Sequence, residues 1–159
     1  MKISIIKEKD LSSVMRLNTN SIPHVNLISK EKLQWLIRHS ALSCIAKING
    51  ELAGFLIGFR AGSSYSSPNY KWFCKNYNDF AYVDRVVVGK QFRRKGVAKF
   101  LYNYFAKSQR EATFMTCEVN ITPPNPNSML FHKHMGFKKV GTQENKKDKV
   151  KVAFLEKVL

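Results

Sequence analysis

Hydrophobic and polar positions change period several times along this chain, and each change marks an element. KISII (2–6) alternates loosely and is rich in isoleucine, which predicts a first strand. DLSSVMRLNTNS places Leu11, Val14, Met15 and Leu17 on one stripe at helical spacing. ISKEKLQWLIRHS predicts a second helix, with Ser29 as N-cap and Leu33, Leu36 and Ile37 as its apolar face. Lys32 stands where a reciprocal capping box would have Glu. ALSCIAKI and ELAGFLIGF flank Asn49-Gly50, the strongest short-range hairpin signal, because both turn residues tolerate positive φ.

Residues 61–79, AGSSYSSPNYKWFCKNYND, are Gly/Ser-rich and then aromatic, and read as a long loop with at most one helical turn. FAYVDRVVV (80–88) is a strand, Gly89 to Lys95 form a turn, and GVAKFLYNYFAKSQR is an amphipathic helix with Val97, Leu101, Tyr104 and Phe105 inward. TFMTCEVN (113–120) is another strand. In ITPPNPNSMLFHKHMGF, Asn125 suits an N-cap, Pro126 the first helical position and Gly136 the position past the end. The remainder predicts two strands around the polar stretch 144–149. The order β-α-α-β-β-β-α-β-α-β-β predicts a single α/β domain over 1–159 with a mixed sheet.

Composition narrows the class. At 159 residues and 44% hydrophobic, the chain suits one globular domain with a proper core. It has no run of 18 apolar residues and no signal-peptide pattern, so a cytoplasmic protein without a membrane span is expected. Three cysteines without close spacing argue against a disulfide framework or a zinc knuckle, and no metal is expected. Cys44 and Cys117 read as core residues; Cys74 is harder to place. The formal charge of +16 favours an anionic partner, whether nucleic acid, a membrane surface or a phosphorylated small molecule. Charge by itself does not choose among these, because a broadly basic surface gives the same number.

One local cluster sharpens the question. Arg93, Arg94 and Lys95 stand where a helix begins, and a cation there costs about 0.3–1 kcal/mol against the helix dipole. Strand, glycine-containing turn and helix N-terminus together form a general anion site, and Gly96 lets a ligand approach the backbone. The nucleotide P-loop and the dinucleotide fingerprint both fail here, since their glycine spacings are absent. What remains is Arg93-x-x-Gly96-x-Ala98 after a strand ending in VVV. This resembles the acyl-CoA pyrophosphate loop of the GNAT superfamily of N-acyltransferases, Gln/Arg-x-x-Gly-x-Gly/Ala. Asn125-x-x-Ser128, Phe131-His132 and Met135-Gly136-Phe137 also look like that family, and the element order fits along nearly the whole chain.

The resemblance implies a mostly antiparallel sheet with helices on both faces and a splayed central strand pair that holds acetyl-CoA as cosubstrate. Backbone groups of Val86, Val87 and Val88 would pair with the pantetheine amides. The segment Arg93, Arg94, Lys95, Gly96, Val97 and Ala98 would hold the pyrophosphate, and Asn125, Ser128 and His132 would also contact the cofactor. It implies direct attack of an amine on the thioester, with the Val88 N–H facing the oxyanion. A free lysine has a pKa of about 10.4, so a base must take its proton. Asp84 is the first candidate, expected to share a strand face with Tyr82, Val86 and Val88 by two-residue alternation; an ion pair is its bland alternative. Glu118 is the rival. Family members often carry a tyrosine where this chain has His132, so His132 is the candidate acid for the departing thiolate, or else a half-buried helix histidine.

The aromatics of 61–79 read equally as an acceptor border or a packed lid. The amine acceptor is unidentified, nucleic acid and membrane are not expected partners, and either a monomer or a homodimer is compatible. The alternative to an enzyme is a non-catalytic basic module that binds nucleic acid or CoA only.

Overall fold

The Asn49-Gly50 turn adopts the conformation its sequence demands, with φ of 50° and 85°. It joins β2 (Leu42–Ile48) to β3 (Glu51–Arg60) as an antiparallel pair. The computed structural model describes all 159 residues. Around this hairpin lie β1 (Lys2–Ile5), β4 (Ala81–Val88), β5 (Phe114–Thr122), β6 (Lys138–Asn145) and β7 (Val150–Val158). They form one seven-stranded sheet in the order β1-β2-β3-β4-β5-β7-β6. Every neighbouring pair is antiparallel except β4 with β5, which is parallel.

Helices cover both faces. On one face α1 (Leu11–Thr19), α2 (Lys30–His39) and α3 (Pro68–Asn76) bury Leu11, Val14, Leu33, Leu36 and Phe73 against Phe55, Phe59 and Phe154 of the sheet. On the other, α4 (Val97–Ser108) buries Val97, Leu101, Tyr102 and Phe105, and α5 (Pro126–His134) adds Met129 and Phe131. The caps read from sequence are in place: Ser29 Oγ accepts from the Lys32 amide, and Asn125 Oδ1 from the Ser128 amide. Gly58 shows how closely α4 sits. A Cβ there would lie 2.4 Å from the Phe105 ring, so only glycine admits that ring onto β3. No helix is long and apolar enough to cross a membrane.

Two sequence expectations need correction. The stretch 61–79 holds more than one helical turn, because the nine-residue α3 occupies its middle. The start signal was present in Ser67-Pro68, with proline at the first position of the helix. Tyr70 and Phe73, three apart, make its buried stripe. Trp72 of the same helix stacks on Phe154 and lies over Gly141 of β6, where a Cβ would meet the indole at 2.6 Å.

The second correction concerns β4. Its register against β3 slips by one between Val83↔Gly58 and Arg85↔Ile57, so Asp84 is an extra residue in a β-bulge. Tyr82 and Val87 join the core under α1–α3, while Val83, Val86 and Val88 face α4. Asp84 therefore does not share a face with Val86 and Val88, because the bulge resets the two-residue alternation. Pairing of β4 with β5 covers only Ala81–Val83 against Met115–Cys117. Beyond those residues the two strands part, and the split opens at Asp84 and Glu118. A bulge increases local twist, and here it coincides with the end of the pairing.

Candidate active site

A cavity of about 1260 Å³ fills the split. It is lined by the turn after β4, the start of α4, the α1–α2 loop, the start of α3 and the β6–β7 turn. Open α/β sheets commonly bind ligands in such a place, at the carboxyl ends of strands.

The turn has the features of an anion site. Gly96, at φ 77°, is the residue before α4, and no side chain caps the helix. The first helical bond to Gly96 comes from Phe100, so the amides of Val97, Ala98 and Lys99 have no carbonyl partner. Nothing lies within 4 Å of where a Gly96 Cβ would stand, which leaves the backbone open to a ligand. Arg94 takes the left-handed conformation as well, at φ 59°. Arg93, Arg94, Gly96, Val97 and Ala98 all line the cavity, as do Val86, Val87 and Val88. Lys95 does not; its ammonium lies 5.7 Å from the Phe92 ring centroid instead.

The acid/base candidates Asp84, Glu118 and His132 line the same cavity. Both Asp84 oxygens are engaged: Oδ1 accepts from the Tyr65 hydroxyl at 2.6 Å and Oδ2 from Arg85 Nε at 2.9 Å. The Arg85 guanidinium is itself buried, and donates to Asn18 Oδ1 and Asn26 Oδ1 at 3.0 Å each. The Asp84–Arg85 pair thus ties β4 to the end of α1 and to the loop that walls the cavity.

Glu118 is held differently. Its Oε1 accepts from the Tyr82 hydroxyl at 2.9 Å and from Asn69 Nδ2 at 3.0 Å, while Oε2 is buried without a partner. Burial, with the nearby Asp84 charge added, pushes its pKa up to about 8; the two hydrogen bonds and Arg85 oppose the shift. A carboxyl tuned near neutrality, with one oxygen free beside a cavity, has the properties of a general base. The structure favours Glu118 over Asp84 for that task.

His132 is buried, and both ring nitrogens are engaged. Nδ1 lies 2.7 Å from the Ser128 carbonyl and must donate to it, which leaves Nε2 to accept from the Tyr102 hydroxyl at 2.7 Å. Burial lowers its pKa against the opposing Ser128 hydrogen bond, so the ring is neutral. Its single ring proton is committed to a carbonyl, which does not suit an acid for a thiolate. Phenylalanine at His132 should cost about 1–3 kcal/mol of stability, because the buried Tyr102 hydroxyl loses its acceptor. Proton donation is worth about 10²–10⁴ in rate, so a turnover within tenfold of wild type is expected. Thermal melts and single-substrate rates check both halves, and a hundredfold loss would restore the acid role.

Asn125 and Ser128 line the same cavity wall. Cys44 and Cys117 are buried as expected, while Cys74 is exposed. Sequence reasoning missed Arg85, Asn69 and the Tyr102–His132 bond. The Asp-Arg pair inside the apolar strand FAYVDRVVV was a usable signal for Arg85, since a charge in a buried strand needs a partner. The other two are contacts between elements distant in sequence and left no local trace.

The model of the GNAT acetyltransferase family matches residues 12–137. No curated protein sequence matches the chain. Among solved structures, Ard1 from Thermoplasma volcanium superposes with a TM-score of 0.79 at 22% identity, covering 99% of this chain and 97% of that one. The ribosomal-protein-alanine N-acetyltransferase from Brucella melitensis gives 0.73 at 16% identity over 100% of both chains. Arabidopsis thaliana Naa50, in complex with the bisubstrate analogue CoA-Ac-MVNAL, gives 0.76 at 15% identity over 99% and 98%. At these identities the likenesses speak for the fold, and the family match agrees with the uncapped turn, the split strands and the buried carboxyl. The chain belongs to the GNAT family of acetyltransferases.

Proposed function

We propose that the protein moves an acetyl group from acetyl-CoA to a primary amine by direct attack on the thioester, with Glu118 as the base. The observation that carries this reading is the placement of two features on one cavity. Unpaired amides at Val97–Lys99 suit a pyrophosphate, and the half-free carboxyl of Glu118 lines the same cavity.

Acetyl-CoA brings the activated acyl group. The chain supplies the rest. The start of α4 with Arg93 and Arg94 binds the diphosphate. The edge of β4 beyond Val83, free of β5, offers backbone groups of Val86–Val88 for the pantetheine and the Val88 amide for the carbonyl oxygen. Glu118 Oε2 receives a proton from the incoming ammonium, directly or through one water. The amine nitrogen then attacks the thioester carbon, the nitrogen's surplus proton passes to solvent, the C–S bond breaks and the sulfur keeps its electron pair. The committed His132 proton leaves the thiolate to take its proton from solvent.

Thiol release from acetyl-CoA against a panel of primary amines, including peptides with free N-termini, lysine and polyamines, tests the reading. At least one acceptor should give saturable release. The rate at low acceptor concentration should rise with pH through about 8, because the base works only once deprotonated, and should rise further as the neutral fraction of the amine grows. Acetyl-CoA binding without release on any amine would favour a binding-only member of the family. Steeply salt-dependent oligonucleotide binding that CoA does not displace would favour the basic-module alternative.

A further inference from the structure

The aromatic segment between β3 and β4 makes specific contacts at the split. Tyr65 donates to Asp84, and four residues on, at the first turn of α3, Asn69 donates to Glu118 Oε1. One short stretch of chain thus reaches both carboxyls. We propose that Asn69 is a positioning residue: carried by α3, it holds Glu118 Oε1 so that Oε2 alone is left for the proton of the incoming amine. This deepens the transferase reading and rests on it.

The α3 helix is firmly set. Tyr70 and Phe73 are fully buried, and the Tyr70 hydroxyl donates to the Arg60 carbonyl at 2.6 Å. Trp72 stacks on Phe154 at 4.3 Å between centroids, and Phe154 is the register partner of Glu118 across β5–β7. The same β-strand pair therefore carries the carboxyl and the seat of the helix that holds it. Asn69 cannot drift without moving this packed aromatic set. A carboxyl bound through one oxygen by two donors has a fixed plane, so the free oxygen is fixed too. A helix that served only as a lid would not need an amide donor on a buried carboxyl.

Other groups facing Glu118 set the background. Tyr82, Asp84 and Arg85 come from β4 and Tyr65 from the loop before α3, while Cys117 and Tyr102 lie on the other face of the sheet and feel its charge from there. Phe154 on β7 is apolar, and the β6–β7 turn brings Glu144, Lys146, Lys147 and Asp148 to the cavity rim. Among these, Asn69 and Tyr82 are the two donors to Glu118 itself. Tyr82 is part of the core, so Asn69 is the donor that can be removed with least disturbance.

The test reads the carboxyl directly. In the full chain with ¹³C-labelled glutamate, the Glu118 carboxyl resonance, assigned by its loss in Glu118→Gln, is titrated from pH 5 to 10. A donor favours the carboxylate form, so Asn69→Leu should raise the midpoint by about half to one pH unit. The acidic limb of the thiol-release profile should move by the same amount, with acetyl-CoA affinity unchanged. Asn76→Leu is the control. Asn76 lies at the other end of α3 and donates only to the Trp72 carbonyl, so it disturbs the helix without touching the carboxyl. A midpoint that stays put in Asn69→Leu overturns the proposal, as does an equal shift in Asn76→Leu. If Asn69→Leu does not fold, Asn69→Ser, which shortens the donor out of reach, carries the same expectation. The carboxyl titration is decisive even if no amine is acetylated, and that separate failure would sink the transferase reading instead.

Discussion

Replacing Glu118 with glutamine should lower turnover about 10²–10⁴-fold, the usual worth of a positioned base, while acetyl-CoA affinity stays within about threefold. Glutamine keeps the shape and can still accept from Tyr82 and Asn69, so the fold around the split is preserved. It cannot take a proton. The alkaline rise of the rate should vanish with the activity, leaving only the residual dependence of the amine's own ionisation. Rapid-mix thiol release and calorimetric binding of acetyl-CoA separate the two quantities. Asp84→Asn provides the contrast, since both Asp84 oxygens already have partners. Its loss should destabilise by stranding the Arg85 charge, an effect of about 3–5 kcal/mol when a buried pair is broken. A Glu118→Gln enzyme with near-normal turnover would remove this carboxyl from the chemistry.

The same substitution should act on stability in the opposite direction at high pH. The folded protein raises the Glu118 pKa from its ordinary 4.5 to about 8. In that window the folded state binds the proton more tightly than the unfolded chain does. Its contribution is therefore complete below the ordinary value and is lost as pH climbs through the folded value. Glutamine removes that loss. At pH 9 the variant should melt above the wild type, and at pH 5 the difference should shrink or reverse. Better stability with lost activity is the expected signature of a carboxyl buried for function.

Glutamate at Gly96 should weaken CoA binding by more than about a hundredfold, because its charge and bulk would face the unpaired amides at the start of α4. Gly96 stands at φ 77°, where an L-residue costs about 1–2 kcal/mol. That strain, with open space around the Cβ position, leaves the domain folded. Gly96→Ala isolates the strain, and should weaken CoA binding by less than about tenfold. Calorimetry on the two variants, with circular dichroism to show that both are folded, distinguishes charge from geometry. Glutamate that binds CoA as tightly as alanine does would mean the diphosphate lies elsewhere.

Particular residues mark how far the chain could be read in advance. Asn49-Gly50, Ser29 and Asn125 announced a hairpin and two helix starts, because turn and cap chemistry is local and three or four residues suffice to encode it. The surplus of cations at Arg93–Lys95 beside Gly96 announced an anion turn for the same reason, although Lys95 proved to lie outside the cavity. The α3 helix was hidden by composition: its Gly/Ser lead-in and dense aromatics resembled a loop, while Ser67-Pro68 carried the start signal.

The amino-acid order by itself therefore determined the succession of elements, the caps and turns between them and the position of the glycine turn before α4, all of which rest on contacts within a few residues. Only the tertiary structure decided the chemistry at the split. The bulge at Asp84 depends on pairing with β3 and reversed which side chains of β4 share a face. The choice of Glu118 over Asp84 depends on partners from Tyr65 to Arg85 that are brought together across the sheet. His132, by sequence either a candidate acid or a half-buried helix histidine, accepts on Nε2 from Tyr102, thirty residues away. A side chain's availability for proton transfer is set by what its neighbours already donate and accept, and those neighbours are chosen by folding.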